Sequence, residues 1–385
     1  MTSVDLEGKA VVPAKPETIA DEIVVSRHSG DESYLNLVWR RFRRSVAGMI
    51  GLVLVAMLLI MAVFADFFAP LDPKLTLLPY GPPTTLSFVD AVGTFSFRPV
   101  YYPIVETGEF DPITFQPLTG PDLENPKYLS FFVRGWSYKL FWVIDSDIHL
   151  FGTADGGPLN LLGTDKFGRD ILSRGIIGSR ITLTIALIVV ALTTIIGTLV
   201  GIICGYLGGR VDAWGQRFVD LMLAFPELPL YLALATLIPV TAPSHLYIAF
   251  VIGVLIVLRW AQLSREVRGK TLALARIEYV RAAIATGAGD FRIVARHILP
   301  NVMSHVIVSV TLSIPAMVLL ESFLGFLGFA VKPPLISWGL MLQDTNTFSV
   351  LGSYPWILSP VVFVLITVFA FNALGDGLRD AIDPY

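Results

Sequence analysis

A few residues have types and spacing that could do chemistry. Asp165, Arg169 and Asp170 stand just before a long apolar run. Two carboxylates can serve as an acid–base pair, but this spacing sets them on one turn or helix beside Arg169, with no second base, so charge pairing is the better reading. His297 and His305 are eight positions apart and no HExxH pattern occurs, so no metal site is expected. The single cysteine, Cys204, excludes an internal disulfide and a Cys-based zinc site, and its apolar surroundings mark it as a packing residue. No GxxxxGK[ST] loop is present, so the chain is not itself a P-loop ATPase. Glu227 and Glu321 lie within apolar runs, where an ionisable side chain is expensive and carries a functional hypothesis by default. Glu227, after Pro226, reads as a structural acid with Arg217 or a loop arginine as partner. Glu321 reads either as a helix-interface residue or as one facing a pathway. No catalytic residue and no cofactor is expected.

The elements that hold these residues are set by hydropathy. Hydrophobic residues make up 54% of the 385 and charged residues 15%, against about 25% charged in soluble chains, which excludes a disordered or a soluble multidomain protein. Residues 45–65, 181–209, 228–258 and 345–375 contain no Asp, Glu, Lys or Arg, and a bilayer helix needs about 20 apolar residues. Six spans follow: 45–67, 177–207, 218–238, 246–264, 301–327 and 355–375, with Pro239, Pro243 and Ser244 breaking the long stretch 218–264. Gly197, Gly201 and Gly205 recur every fourth residue in span 2, a small-residue face that lets another helix approach closely. Arg259 in span 4 can snorkel to the interface. The fold class expected is an all-α membrane protein.

Residues 1–33 are polar and acidic and read as a flexible cytosolic tail, with no signal peptide expected. Residues 34–69 read as an amphipathic surface helix, YLNLVWRRFRR, followed by span 1. The four arginines before span 1, and the basic link 265–300 between spans 4 and 5, place both termini in the cytosol by the positive-inside rule. The segment 70–160 then lies outside. Its alternation and its turn signals (ETGEFDP, PLTGP) read as mixed short strands and helix, with TGEFDPITFQPL as a hairpin. The run FFVRGWSYKLFWVI is too short and too charged for a span, and reads as a small-domain core or a surface-lying segment. This insertion is either a docking surface for an external partner or an addition that only packs on the helices.

The loop 265–300 is basic and helical in composition. Within it, EYVRAAIATGAGDFRIVARHILPN (278–301) sets Ala282-Ala283 on a smooth helical face. Gly287 then permits a sharp turn, and Pro300 opens the next span, where a missing N–H is harmless. The pattern resembles the EAA motif, E-A-A-x3-G-x9-I-x-L-P, of the membrane subunits of bacterial ABC importers. Here it reads Arg281, Ala282, Ala283, Gly287, His297, Leu299 and Pro300, with Arg in place of Glu and His in place of Ile. LLGTDKFGRDILSRGIIGSR (161–180), the segment 197–230, ESFLGFLGFAVKPPLISWGLML (321–342) and FNALGDGLRDAIDP (371–384) resemble the C-type permease of the oligopeptide/dipeptide/nickel family. The likeness covers 34–68 and 161–385, with spans 2–6 and the loop in the second stretch, and leaves 70–160 unmatched.

The resemblance implies a type I ABC importer permease in the bacterial inner membrane, a transport subunit and not an enzyme. It implies four kinds of partner: a homologous B-type permease, two cytosolic ATP-binding subunits, an extracytoplasmic solute-binding protein and the lipid bilayer, with no nucleic acid. The residues around Ala282–Gly287 would form the helix that couples to one ATPase. Peptides are the expected substrate, with oligosaccharides or another small solute as the alternative. A stand-alone secondary transporter would show internal repeats and would leave the loop unexplained.

Overall fold

The computed structural model describes residues 34–382 apart from 111, 113–116, 142 and 240. The segment 1–33, read above as a tail, lies outside the described residues, as does most of the turn of the TGEFDPITFQPL hairpin.

The amphipathic segment forms α1 (Tyr34–Phe42). Ser45 then caps α2 (Val46–Val63), its hydroxyl accepting from the Gly48 N–H at 3.1 Å. A short α3 (Ala65–Phe68) ends this limb. After the insertion, Asp170 caps α4 (Ile171–Leu207) by accepting from the Ser173 N–H at 2.7 Å. Burial pushes the Asp170 carboxyl up to about 6 despite those hydrogen bonds. Helix α4 stops at Gly208, whose φ of +63° a side chain would resist.

Next come α5 (Gly209–Ala224) and α6 (Glu227–Ala235), bent by 74° where Pro226 interrupts the run. Span 3, expected as one helix over 218–238, is therefore a broken pair. The chain re-enters as α7 (Ser244–Leu274), followed by α8 (Glu278–Ala285) and α9 (Asp290–Ile293). Helix α9 passes through a π turn, Val294–Ile298, into α10 (Leu299–Phe326). Short α11 (Trp338–Leu342) and α12 (Phe348–Ser353) precede α13 (Pro360–Ile382).

Five helical runs among the described residues are long and apolar enough to cross a membrane, and the bent α5–α6 pair passes the same test if counted as one span. In their most apolar windows α2 is 28% buried and α4 44%, which puts α4 at the centre and α2 at the rim. The main core joins α2, α4, α6, α7, α10 and α13 around residues such as Val189, Val251, Leu255, Val318 and Leu324.

The insertion forms β1 (Ser87–Val89), β2 (Phe95–Tyr101), β3 (Ile104–Phe110), β4 (Pro117–Pro121), β5 (Lys127–Leu140) and β6 (Ile144–Thr153). The order β1-β2-β5-β6 makes an antiparallel sheet, and β3–β4 a separate ribbon. No helix forms between 70 and 160 among the described residues, so the helical part of the expected mixture is corrected. Aromatic and β-branched residues fill FFVRGWSYKL, which becomes most of the 14-residue strand β5 and favours a pleated surface over a helix. His149 on β6 is buried and ties the sheet to the helices. Its ring nitrogens lie 2.9 Å from the Asp66 carbonyl on α3 and 3.0 Å from the Trp136 carbonyl on β5.

Candidate functional site: a polar cleft and an exposed helical turn

Helix α7 carries Arg259, Gln262 and Glu266 on one face, and α10 carries His305, Ser309 and Ser313 four residues apart. These stripes converge where the two helices face each other. Arg259, Gln262, Glu266, Ser309 and Ser313 line a cleft of about 400 Å³ together with Thr193 and Thr194 of α4 and Glu227 at the start of α6, and His305 stands beside it against Glu266.

At one side Arg259 grips Glu227 with two hydrogen bonds, Nε to Oε1 at 2.5 Å and Nη2 to Oε2 at 3.0 Å. The side chains are 29% and 33% exposed, so the pair is neither dry nor fully solvated. Glu227 therefore pairs across to α7, and neither Arg217 nor a loop arginine is its partner. Arg259 accordingly is held by Glu227 at the wall of the cleft. Pro226 explains this: by ending α5 it frees Glu227 to open α6 aimed at α7.

Elsewhere in the cleft the Gln262 amide donates to Glu266 at 3.0 Å, and His305 Nε2 lies 3.3 Å from the other Glu266 oxygen. Thr193 and Ser313 donate to carbonyls of their own helices, at 2.8 and 2.7 Å. The walls thus offer hydroxyl oxygens, an amide, one arginine and two carboxylates.

The other intramembrane acid is elsewhere. Glu321 is fully buried where α10 meets α4 and α11, accepting from Thr182 at 3.1 Å. Thr182 in turn accepts from the Trp338 N–H at 3.1 Å. Glu321 therefore sits in an interhelical joint and not in the cleft.

The opposite face of α7 meets the glycine stripe. A Cβ on Gly197 would lie 2.8 Å from the Trp260 carbonyl, on Gly201 2.6 Å from that of Ser264, and on Gly205 2.9 Å from that of Arg268. The three glycines allow α4 and α7 to touch backbone to backbone.

Beyond the membrane end of α7 lie the motif residues. The region 265–300, read as a loop, is helix up to Leu274, and two of its arginines are engaged: Arg268 holds Asp212 of α5 at 2.5 and 2.6 Å, and Arg265 holds Asp220. Helix α8 closes in a Schellman turn. The Ala288 N–H donates to the Ala283 carbonyl at 3.1 Å and the Gly287 N–H to that of Ile284 at 2.9 Å, with Gly287 at φ +84°.

Val280 is buried beneath α8 while Arg281 and Ala282 are exposed and Ala283 half-buried, leaving a smooth outward face. Phe291 beside it is 86% exposed. Tyr279 stands near His297, and Asn301 donates both to the Tyr279 hydroxyl at 3.3 Å and to the His297 carbonyl at 2.7 Å. Leu299 and Pro300 do not start a fresh helix, as expected above. The π turn carries the run through, with the Leu299 N–H donating to Val294, which absorbs the N–H that Pro300 lacks.

The family model described as the binding-protein-dependent transport system inner membrane component matches residues 197–385, and that of the N-terminal transmembrane domain of oligopeptide transport permease C matches 33–83. The oligopeptide transport system permease protein OppC of Haemophilus influenzae is 39% identical over 227 residues, covering 58% of this chain and 70% of its own. The chain belongs to this permease family. The dipeptide transport system permease protein DppC of Bacillus subtilis is 37% identical over 222 residues (58% of this chain, 68% of its own). The OppC protein of Escherichia coli K12 is 42% identical over 224 residues (58% and 71%). With its apolar helices the permease is a multi-pass membrane protein. Both the cleft helices α7 and α10 and the helical turn between them lie inside the matched region.

The cleft was the part missed from sequence, although the His305–Ser309–Ser313 stripe at helical spacing was a signal for it.

Proposed function

We propose that this permease is one half of the membrane pathway of an ATP-driven, binding-protein-dependent importer of peptides. The relatives named above are oligopeptide and dipeptide permeases, and the cleft's mixed hydroxyl, amide and charged lining suits a solute with a peptide backbone. All six spans cross the bilayer, α5–α6 as a broken third span, with both termini in the cytosol and the insertion 70–160 outside. A homologous permease completes the pathway, a solute-binding protein delivers to it, and two ATPases bind below.

The observation that carries this reading is the outward face of α8, with Arg281 and Ala282 exposed, Ala283 half-buried and Phe291 beyond, presented on a capped turn. Arg281, Ala282, Ala283 and Gly287 seat in a groove of one ATPase, while His297, Leu299 and Pro300 join the turn to α10. ATP-driven closure then moves α7 and α10, and the cleft between them changes its access.

Ala283→Glu and Gly287→Glu are expected to abolish ATP-dependent peptide uptake by the reconstituted importer while membrane insertion persists. Uptake at the original rate in both variants would overturn the coupling role.

A further inference from the structure

Two hairpins of the insertion turn in opposite chemical styles. Between β1 and β2 the turn is built for water. The Asp90 carboxylate accepts from the Val92 and Thr94 N–H groups at 3.0 and 2.7 Å, and Gly93 supplies the left-handed residue at φ +91°. Between β5 and β6 the sequence is Leu140-Phe141-Trp142-Val143-Ile144, with no Gly, Asn, Asp or Pro. Phe141 itself takes the left-handed conformation at φ +51°, uncommon for so bulky a side chain. Val143 is 80% exposed and Phe141 54%.

The apolar turn also has a definite address. The Phe141 ring meets Phe64, at the end of α2, edge-on with centroids 5.5 Å apart. Phe141 and Lys139 line a groove of about 260 Å³ together with Leu59 of α2 and Leu183 and Leu187 of α4. Arg180 of α4 and Asp66 of α3, joined at 2.9 Å, mark the polar level at the ends of these helices. Leu59 and Leu187 are each seven residues further into the helices, about 10 Å at 1.5 Å per residue. The groove therefore runs from the charged level, where the hairpin tip stands, along the apolar flank of the spans. One step back along the strands, Lys139 and Asp145 pair across the ladder at 3.8 Å. An aromatic tip with charged residues directly behind it is the arrangement found at a membrane interface.

We propose that the β5–β6 tip is embedded in the bilayer leaflet beside α2 and α4, its occupant being phospholipid. Acyl chains fill the groove over Leu59, Leu183 and Leu187, and the headgroup meets Lys139 and Arg180. The insertion is thereby anchored at two points, through His149 to the helices and through Phe141 and Val143 to lipid.

The single native cysteine makes the test direct. In a Cys204→Ala background, Val143→Cys and, as control, Val92→Cys (89% exposed, in the water-type turn) are labelled with an environment-sensitive dye in phosphatidylethanolamine/phosphatidylglycerol nanodiscs. The label at 143 is expected to emit blue-shifted light and to lose intensity to doxyl-labelled lipid but not to aqueous iodide, with the reverse at 92. Iodide quenching at 143, or protection from both quenchers, would overturn the proposal, the second by pointing to a protein partner. Should Cys204→Ala fail to fold, a photo-reactive residue at 143 in the otherwise native chain reads the same question. Phospholipid adducts support the anchor, and their absence beside adducts from a control at Leu187 refutes it.

Discussion

Helix α7 has two faces that differ in everything but their backbone. One face, Trp260, Ser264, Val267 and Thr271, lies on the glycine stripe of α4, closed to solvent. The other, Arg259, Gln262 and Glu266, borders a partly open polar cleft. Close packing on the first face tolerates no added volume, because protein interiors have few voids and the contact is backbone on backbone. The second face tolerates changes of shape but not the loss of one partner of the Arg259–Glu227 pair. A moving pathway needs both: a fixed seam that defines the helix axis and a loosely filled side where the neighbours can shift.

The largest effect is expected at the seam. Gly201→Leu places atoms where the Ser264 carbonyl and Val267 already sit, costing about 3 kcal/mol. Sharply reduced yield of folded protein, read as a lowered melting temperature in detergent, is the expected result. A stable, uptake-competent Gly201→Leu protein would mean the seam is not as closed as the structure has it.

An intermediate effect is expected in the cleft. Arg259→Met leaves Glu227 without its partner and costs about 1 kcal/mol, discounted because both side chains are about a third exposed. The paired change Arg259→Met/Glu227→Leu should recover that stability without recovering uptake. Recovery of both would reduce the ion pair to a structural tie and remove it from the pathway.

The smallest effect is expected at Ser264, whose hydroxyl is buried in the seam with no hydrogen-bond partner. Ser264→Ala should be neutral or stabilising by up to about 1 kcal/mol, since an unsatisfied buried polar group is a cost. Thermal unfolding decides it, and a clear loss of stability would show that the hydroxyl finds a partner.

Most of the helices could be placed from sequence because a charge-free run is a local property. Val46–Val63 and the charge-free part of α4 from residue 181 stand out without reference to anything else in the chain, whereas the first turns of α4, with Arg174 and Arg180, do not. The turn at Gly287 was legible for the same reason: alanines, then a glycine where only a left-handed residue closes the helix. Pairings across the fold were not. Glu227 and Arg259 are 32 positions apart, and nothing local distinguishes Arg259 from Arg217 as the partner. The bend at Pro226 was hidden because a proline followed by apolar residues is compatible with both a continuing span and a break. The His305–Ser309–Ser313 stripe was visible but had no partner until α7 was folded against it.

The π turn at 294–298 has a mechanical consequence. Because α9 runs through it into α10, the segment from Asp290 to Ser309 is one continuous helical arm. At 1.5 Å per residue that arm is about 30 Å long, so a tilt of about 10° at its outer end carries the other by about 5 Å. Such a lever needs no hinge between the surface where Phe291 stands and the serines of the cleft. Ile293, Ile298, Val302 and Val306 are buried along its length, so the arm shifts as one piece, and its length, more than the strength of any single contact, sets how far a small push at the surface travels.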